Sequence, residues 1–349
     1  MTNLRHLQDK ETKFGATSRP GNPVELAKWV KVAEMLGFDR IGIADSPALY
    51  RDVWISSVHV AHATNVIPFG PWVTNPISRH PVVTASAALS LNELAPGRAC
   101  VGIGTGNSGV YNLGKKSSTV NHLKLYVEAL QSLFQSGYAV YYGKECHLKW
   151  GLRPQKIPIY MAAHGSKMLD LAGQLADGVI VGAGATPEVA IQAYAALGEG
   201  ANKAGRTLGD LDIWWSIPFN IQHSATPLLD PQGGAAREAN YLARYTLEGK
   251  FIPDEYKEGI KQLALVYDIS THGRPTQNQL ETYDRLAQKF GVKEYLTDRF
   301  SGLSGTPEGI IEKIRRNQDA GIVQYSINLP DHDRISHLSD IMGSVISRL

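Results

Sequence analysis

The chain has 349 residues, 43% of them hydrophobic and 19% charged, which suits a well-buried globular protein and excludes a disordered one. Its 35 basic and 33 acidic side chains leave a formal charge of +2 with no long basic run, so a nucleic-acid partner is not expected. The N-terminus is polar, and no segment approaches the roughly 18–20 apolar residues of a membrane span, so no membrane association and a cytoplasmic protein are expected.

The two cysteines are far apart. Cys100 sits in an apolar run and reads as a small core residue. Cys146 is followed by His147, but two candidate ligands in one loop do not make a metal site, and no metal is expected.

Short apolar runs alternate with amphipathic stretches, the pattern of parallel βαβ units. A strand is predicted over 13–17 and a helix over 23–36, opened by Pro23 and closed by Gly37. A second strand covers 40–44. A third covers 66–73, where Pro68 and Pro71 predict an irregular or bulged course. Then follow a helix over 81–94, a strand over 99–103, a helix over 119–135 and a polar hairpin over 141–150. A fifth strand (157–161), a helix (166–175), a sixth strand (178–181), a helix (187–203) and a seventh strand (212–219) continue the rhythm. On strand seven, Trp214 and Trp215 point to opposite sides, one toward the barrel interior and one toward the helices.

Residues 224–304 break this rhythm with helical patterns over 237–247, 255–265 and 277–290. It returns with a helix over 308–320 and an eighth strand over 323–328. Eight strands so ordered predict an α/β fold: a single (β/α)8 TIM barrel over 1–349, with a helical insertion (224–304) between strand seven and helix eight.

In such a barrel the chemistry sits just after each strand. That rule selects Asp45 and Ser46, then Thr74 and Asn75 with Arg79 and His80. It continues with Gly104, Thr105 and Gly106, then His164, Gly165 and Ser166, and finally Gly182 and Gly184. Gly104 to Gly109 also fits G-x-G-x-x-G, but it follows the fourth strand and does not open a helix directly, which weakens a dinucleotide-site reading. Gly165–Ser166 at a helix start offers amides to a phosphate, or Ser166 is only a cap. Arg79 and His80 have a plain alternative: the pair before Pro81 caps a helix and binds a barrel carboxylate. His223 and His272 belong with the histidines expected to be surface or core-satisfied and not catalytic. No G-x-S-x-G elbow supports a hydrolase.

Several blocks together resemble the luciferase-like superfamily of FMN- and F420-dependent oxidoreductases. They are Ala33 to Asp39, Val73 to Pro76 with Arg79-His80-Pro81, Leu94 to Gly106, Ala172-Gly173 with Ala176-Asp177-Gly178, and Gly305 to Glu308 with Ala320-Gly321. The second block is similar to methylenetetrahydromethanopterin reductases and their bacterial relatives. The resemblance implies a flavin or deazaflavin ring near Thr74, Asn75, Gly104 and Thr105, and its phosphate near Gly165 and Ser166 with Gly182 and Gly184 close by. It also implies a non-proline cis peptide on strand three, expected at Val73–Thr74, a lid over the substrate formed by the insertion after strand seven, and a homodimer.

Many relatives carry a histidine directly after the strand-two Asp; here that residue is Ser46, so Asp45, Ser46 and His80 are all candidates for proton handling. The favoured expectation is an FMNH2-dependent two-component monooxygenase, served by a separate flavin reductase and acting on a small organic substrate. The alternatives are F420-dependent hydride transfer, for which Arg79, Lys115, Lys116 and Lys167 could hold the acidic tail, and a flavin-binding barrel without turnover. Phe69, Trp72 and Tyr50 hint at an apolar or ring-containing substrate.

Overall fold

The structure, a computed structural model, describes residues 11–150, 155–222, 234–271, 275–300 and 302–349. Residues 224–233 of the insertion, and His223 and His272, lie outside the described residues. Eight parallel strands form the barrel: β1 (Lys13–Ser18), β2 (Arg40–Ile43), β3 (Phe69–Pro71), β4 (Val101–Ile103), β5 (Ile159–Ala163), β6 (Gly178–Val181), β7 (Asp212–Ile217) and β8 (Gln324–Asn328). Their order is β3-β2-β1-β8-β7-β6-β5-β4, and the isolated bridges Phe69–Ala99 and Thr74–Ile103 join the two ends. The closed parallel barrel rules out the dinucleotide reading of Gly104 to Gly109, which belongs to an open doubly wound sheet.

Closure at β3 is irregular, as Pro68 and Pro71 foretell. Phe69 and Thr74 hold the ladder to β4 at either side, through Cys100 N–H to Phe69 O (3.0 Å) and Thr74 N–H to Gly102 O (2.9 Å). Between them β3 keeps three residues, and a Cβ on Gly70 would lie 2.0 Å from Cys100 O, so only glycine fits.

Around the barrel run α1 (Pro23–Met35), α2 (Val53–Ala63), α3 (Pro81–Leu94), α4 (Val120–Ser136), α5 (Ser166–Leu175) and α6 (Pro187–Lys203). The insertion supplies α7 (Gly234–Ala243), α8 (Asp254–Leu265), α9 (Gln277–Lys289) and α10 (Lys293–Phe300); α11 (Pro307–Asp319) and α12 (Arg334–Ser344) complete the chain. The insertion helices bury their own apolar cluster, including Ala239, Leu242, Ile260 and Leu263, apart from the barrel's main core. No helix among the described residues is long and apolar enough to cross a membrane.

Helices α2, α10 and α12 go beyond the elements predicted from sequence. The α2 stretch is rich in Ser and β-branched residues of modest helix propensity; it is fixed by the Asp52 cap, which accepts from Trp54 N–H (2.9 Å) and Ile55 N–H (3.0 Å), and by burial of Val53, Val60 and Ala61. Strand seven ends at Ile217, earlier than expected, because Pro218 has no N–H to continue the ladder. Beyond it Phe219–Ile221 pairs in parallel with Leu303–Gly305. Trp214 joins Trp72, Cys100 and Tyr160 inside the barrel, whereas Trp215 faces α6 and donates to Tyr194 Oη at 3.3 Å. Arg40, read from sequence only as a strand start, is buried in that interior, with its guanidinium 4.3 Å from the Tyr160 ring and 5.2 Å from that of Trp214.

Candidate functional site

A cavity of about 1040 Å³ opens at the C-terminal ends of the strands, under the insertion. Trp72, Val73, Gly104, Ala162 and Ile180 give it an apolar floor. A Cβ on Gly104 would stand 3.3 Å from Val73 Cγ2 and 3.4 Å from Ala162 Cβ, so glycine keeps this floor flat. The non-proline cis peptide is Trp72–Val73, one bond earlier than expected at Val73–Thr74. The Trp72 indole N–H donates to Ser326 Oγ (2.9 Å) inside the barrel, which leaves Val73 to shape the floor.

The candidates after β2 and β3 fall into two groups. Asp45, Ser46, Thr74 and Asn75 line the cavity; Arg79 and His80 do not. Asp45 is almost wholly buried and already engaged. Thr74 Oγ1 donates to its Oδ2 (2.6 Å), and Arg79 grips both of its oxygens at 2.5 and 3.3 Å while also reaching Asp52 (3.0 Å). A carboxylate held this way is an anchor for the β3 end, not a free base. Ser46 shares a hydrogen bond with Ser108 Oγ (2.8 Å). Asn75 Oδ1 accepts from Ile77 and Ser78 N–H and builds the turn after β3. His80 is exposed, and its Nδ1 caps α3 by accepting from Val82 N–H (3.3 Å), so the structure corrects its place among the proton-handling candidates. The pair therefore follows its plain alternative, a cap and a carboxylate partner.

Thr105, Gly106, His164, Gly165, Ser166 and Gly182 all line the cavity. The expected phosphate seat is modified by the insertion: the Ser166 amide donates to Gly249 O (2.8 Å). Gly249 has φ +71°, and a Cβ there would strike Ser166 Oγ at 2.3 Å, so glycine is required at this close approach. Gly184 does not line the cavity, a correction to its expected role. It packs instead on Arg299, whose buried guanidinium donates to the carbonyls of Ala183 (2.7 Å), Phe251 (2.8 Å) and Lys250 (2.7 Å). The loop after β6 thus meets the insertion at Gly184, while Gly182 lines the cavity.

Beside Gly165 and Ser166 the insertion brings positive charge that the sequence did not flag. Lys250 Nζ donates to the carbonyls of Leu242 (2.8 Å), Arg244 (2.6 Å) and Tyr241 (3.3 Å) at the end of α7; burial, then Arg244 and Arg299, bring its pKa down to about 8. Arg244 reaches across to Gly106 O (2.5 Å). Its Nε and the Oδ1 of nearby Asn107 are buried without a hydrogen-bond partner. His164 is half-buried and stacks on Tyr241 at 5.8 Å; burial first, then Arg244 and Lys250, push its imidazole down to about 3, so it is neutral at ordinary pH.

Of the four basic residues offered from sequence for an acidic tail, only Lys167 lines the cavity. Arg79 is committed to Asp45 and Asp52, and Lys115 and Lys116 are solvent-exposed. Arg244 and Lys250 were hidden because they reach the barrel only through the fold of the insertion. His337 on α12 also lines the cavity; it lies nine residues beyond the end of β8, outside the reach of the strand-end rule.

A flat apolar floor beside cations and the unpaired Arg244 Nε–H fits a planar ring carrying an anionic tail. The family model described as luciferase-like monooxygenase matches residues 9–324. The chain is 30% identical to a 5,10-methylenetetrahydromethanopterin reductase of Methanolobus tindarius, covering 91% of this chain and 94% of that one. It is 31% identical to an F420-dependent glucose-6-phosphate dehydrogenase of Microbacterium testaceum, covering 97% of each. The solved structure of the coenzyme F420-dependent tetrahydromethanopterin reductase from Methanopyrus kandleri shares the fold with a TM-score of 0.71 at 23% identity, over 97% of this chain and 99% of that one. Solved monooxygenases share the fold at lower identity. The chain belongs to the luciferase-like monooxygenase family and is a luciferase-like oxidoreductase.

Proposed function

We propose that this chain is an F420-dependent hydride-transfer oxidoreductase, which reverses the order expected from sequence. The observation that carries the reading is the charge around the cavity. Six Lys and Arg residues line it, and three are paired: Arg19 with Asp331, Arg237 with Glu238, and Lys293 with Asp284. The other three, Arg244, Lys250 and Lys167, have no carboxylate partner among the described residues, and all lie at the β4–β5 side beside Gly106, Gly165 and Ser166. Three uncompensated cations suit a cofactor tail with several negative charges better than a single phosphate. The names of the relatives that are about 30% identical point the same way.

When bound, a deazaflavin supplies a carbon that accepts or donates hydride. The chain's own residues would do the rest. The floor of Val73, Gly104 and Ala162 supports the ring, Asp45 and Arg79 fix Thr74 at its edge, and the insertion excludes water. FMNH2-dependent oxygen transfer with a separate reductase remains the second reading, supported by fold-level likeness to monooxygenases.

The test is a fluorescence titration of the purified protein with F420 and FMN, each oxidised and reduced. The expected result is selective F420 binding that falls about tenfold or more in Arg244→Ala, in line with loss of one charged contact. Selective binding of FMN would reject the proposal.

A further inference from the structure

Three side chains that line the cavity, Ser46, Asn75 and Ser108, are buried with more hydrogen-bond donors than the described residues accept from. Asn75 is 2% exposed. The amides of Ile77 and Ser78 both donate to its Oδ1, at 3.0 and 2.9 Å, which fixes the carboxamide and turns Nδ2 the other way. That nitrogen carries two N–H donors, and among the described residues it has no acceptor. Ser46 and Ser108, 6% and 8% exposed, share one hydrogen bond of 2.8 Å. Two hydroxyls bring two hydrogens, and the bond between them uses one. Whichever serine donates, the hydrogen of the other has no acceptor among the described residues.

The fold gathers these groups into one corner. Ser46 follows β2, Asn75 follows β3, and Ser108 opens a single helical turn (Ser108–Tyr111) after β4. Gly109 lets that turn close on the end of β2. A Cβ there would meet Asp45 O at 2.5 Å and would stand 3.5 Å from both Asn75 Nδ2 and Ser46 Cα. The corner borders the floor, because Thr74 N–H donates to Gly102 O and Gly104 N–H to Thr74 O. The neighbouring carboxylate, Asp45, is already engaged by Thr74 and Arg79.

Buried polar groups are as a rule satisfied, so donors left over at the wall of a cavity point to an acceptor that the ligand brings. We infer that Asn75 Nδ2 and the Ser46–Ser108 hydroxyl pair form a neutral seat for the oxygen on the reacting carbon of a carbonyl or alcohol substrate. In the reducing direction hydride forms the new C–H bond and the C=O π pair moves onto oxygen. The seat donates to that oxygen as its charge develops, and the oxygen then takes a proton from water in the cavity. A reduced deazaflavin is the hydride source, so this inference deepens the F420 reading and rests on it. An amide and two hydroxyls stabilise the charge by hydrogen bonding alone and are not themselves the acid.

The experiment loads the full chain with oxidised F420, which has no hydride to give, and titrates in cyclohexanone labelled with carbon-13 at the carbonyl. The carbonyl resonance of the bound probe should move downfield of its position in water, the mark of a strongly donated oxygen. Ser46→Ala combined with Ser108→Ala removes only the two hydroxyl oxygens. It should return the resonance toward its free position and weaken the probe about tenfold, with F420 affinity held within about twofold. Ser46→Thr keeps the hydroxyl and should keep the shift. Asn75→Asp retains the acceptor for Ile77 and Ser78, removes both N–H donors and should also abolish the shift. Should that variant fail to fold, the serine variants decide alone. Absence of cyclohexanone binding, an unshifted carbonyl, or a shift that survives loss of both hydroxyls would each overturn the inference. So would a loss of F420 affinity of tenfold or more in the serine double variant, which would assign the donors to the ring. Failure of F420 to bind the unmodified chain is read separately, before any probe is added, and would reject the cofactor reading; the same titration of the cofactor-free protein then still reads the seat.

Discussion

Replacing Arg79 with Met would expose how much of the cavity wall depends on one ion pair. The Asp45 side chain is 1% exposed and takes both of its close charged contacts from Arg79. Met keeps most of the stem volume and removes the charge, leaving a buried carboxylate held by the Thr74 hydroxyl. Breaking one side of a buried pair typically costs about 3–5 kcal/mol. Denaturant unfolding at pH 7 measures the loss, and Asp45→Asn combined with Arg79→Met should recover most of it, because the amide needs no charged partner. A deficit under about 1 kcal/mol, or a double variant no more stable than Arg79→Met alone, would refute the view that the Arg79–Asp45 pair anchors this wall.

Four further outcomes are expected. Because His164 is held neutral down to about pH 3 by burial and by Arg244 and Lys250, the unfolded chain protonates first; stability should fall as pH drops from about 6.5 toward 3, and His164→Asn should flatten that slope in a melting series. In Gly182→Ala the new Cβ would meet His164 Nε2 at 2.4 Å, so F420 affinity should drop about tenfold, whereas Gly343→Ala on α12, with nothing within 4 Å, should be neutral or slightly stabilising. Arg299→Met strands three buried carbonyls and should cost about 3 kcal/mol or more, read as a lower melting temperature and faster proteolysis near residue 250. A homodimer through the N-terminal helices, where Ile55 and Val83 are 64% and 54% exposed, predicts a dimeric mass by light scattering that Ile55→Glu with Val83→Glu converts to monomer.

The barrel was legible because its signals are local. The helices at 81–94, 166–175 and 187–203 and the strand at 178–181 coincide with α3, α5, α6 and β6, each marked by Pro, a cap or a β-branched run. The strand-end rule also found Asp45, Thr74, Gly104 and Ser166, since position along a strand is readable from one sequence. What it could not supply was partnership. Nothing local says that Arg79 turns inward to Asp45 while His80 turns out, or that Arg299 fills the loop around Gly184. Arg244 and Lys250 carry the decisive charge, yet they lie 138 and 85 residues from their neighbours Gly106 and Gly165 and meet them only in the folded chain.

The way the insertion is fastened has an evolutionary side. Its contacts with the barrel are made largely with main-chain atoms: Gly249 O receives Ser166 N–H, Arg299 O receives Ala185 N–H at 3.2 Å, Arg299 reaches Ala183 O, Arg244 reaches Gly106 O and Tyr245 reaches Ser118 O. Peptide groups are common to every residue, so most side chains facing the cavity from this segment can drift without loosening the attachment. Gly249, Arg244 and Arg299 act as fixed fasteners, and the surface between them is free to be rewritten. Selection can therefore retool what the enzyme accepts while the barrel, its floor and its anchor at Asp45 stay as they are.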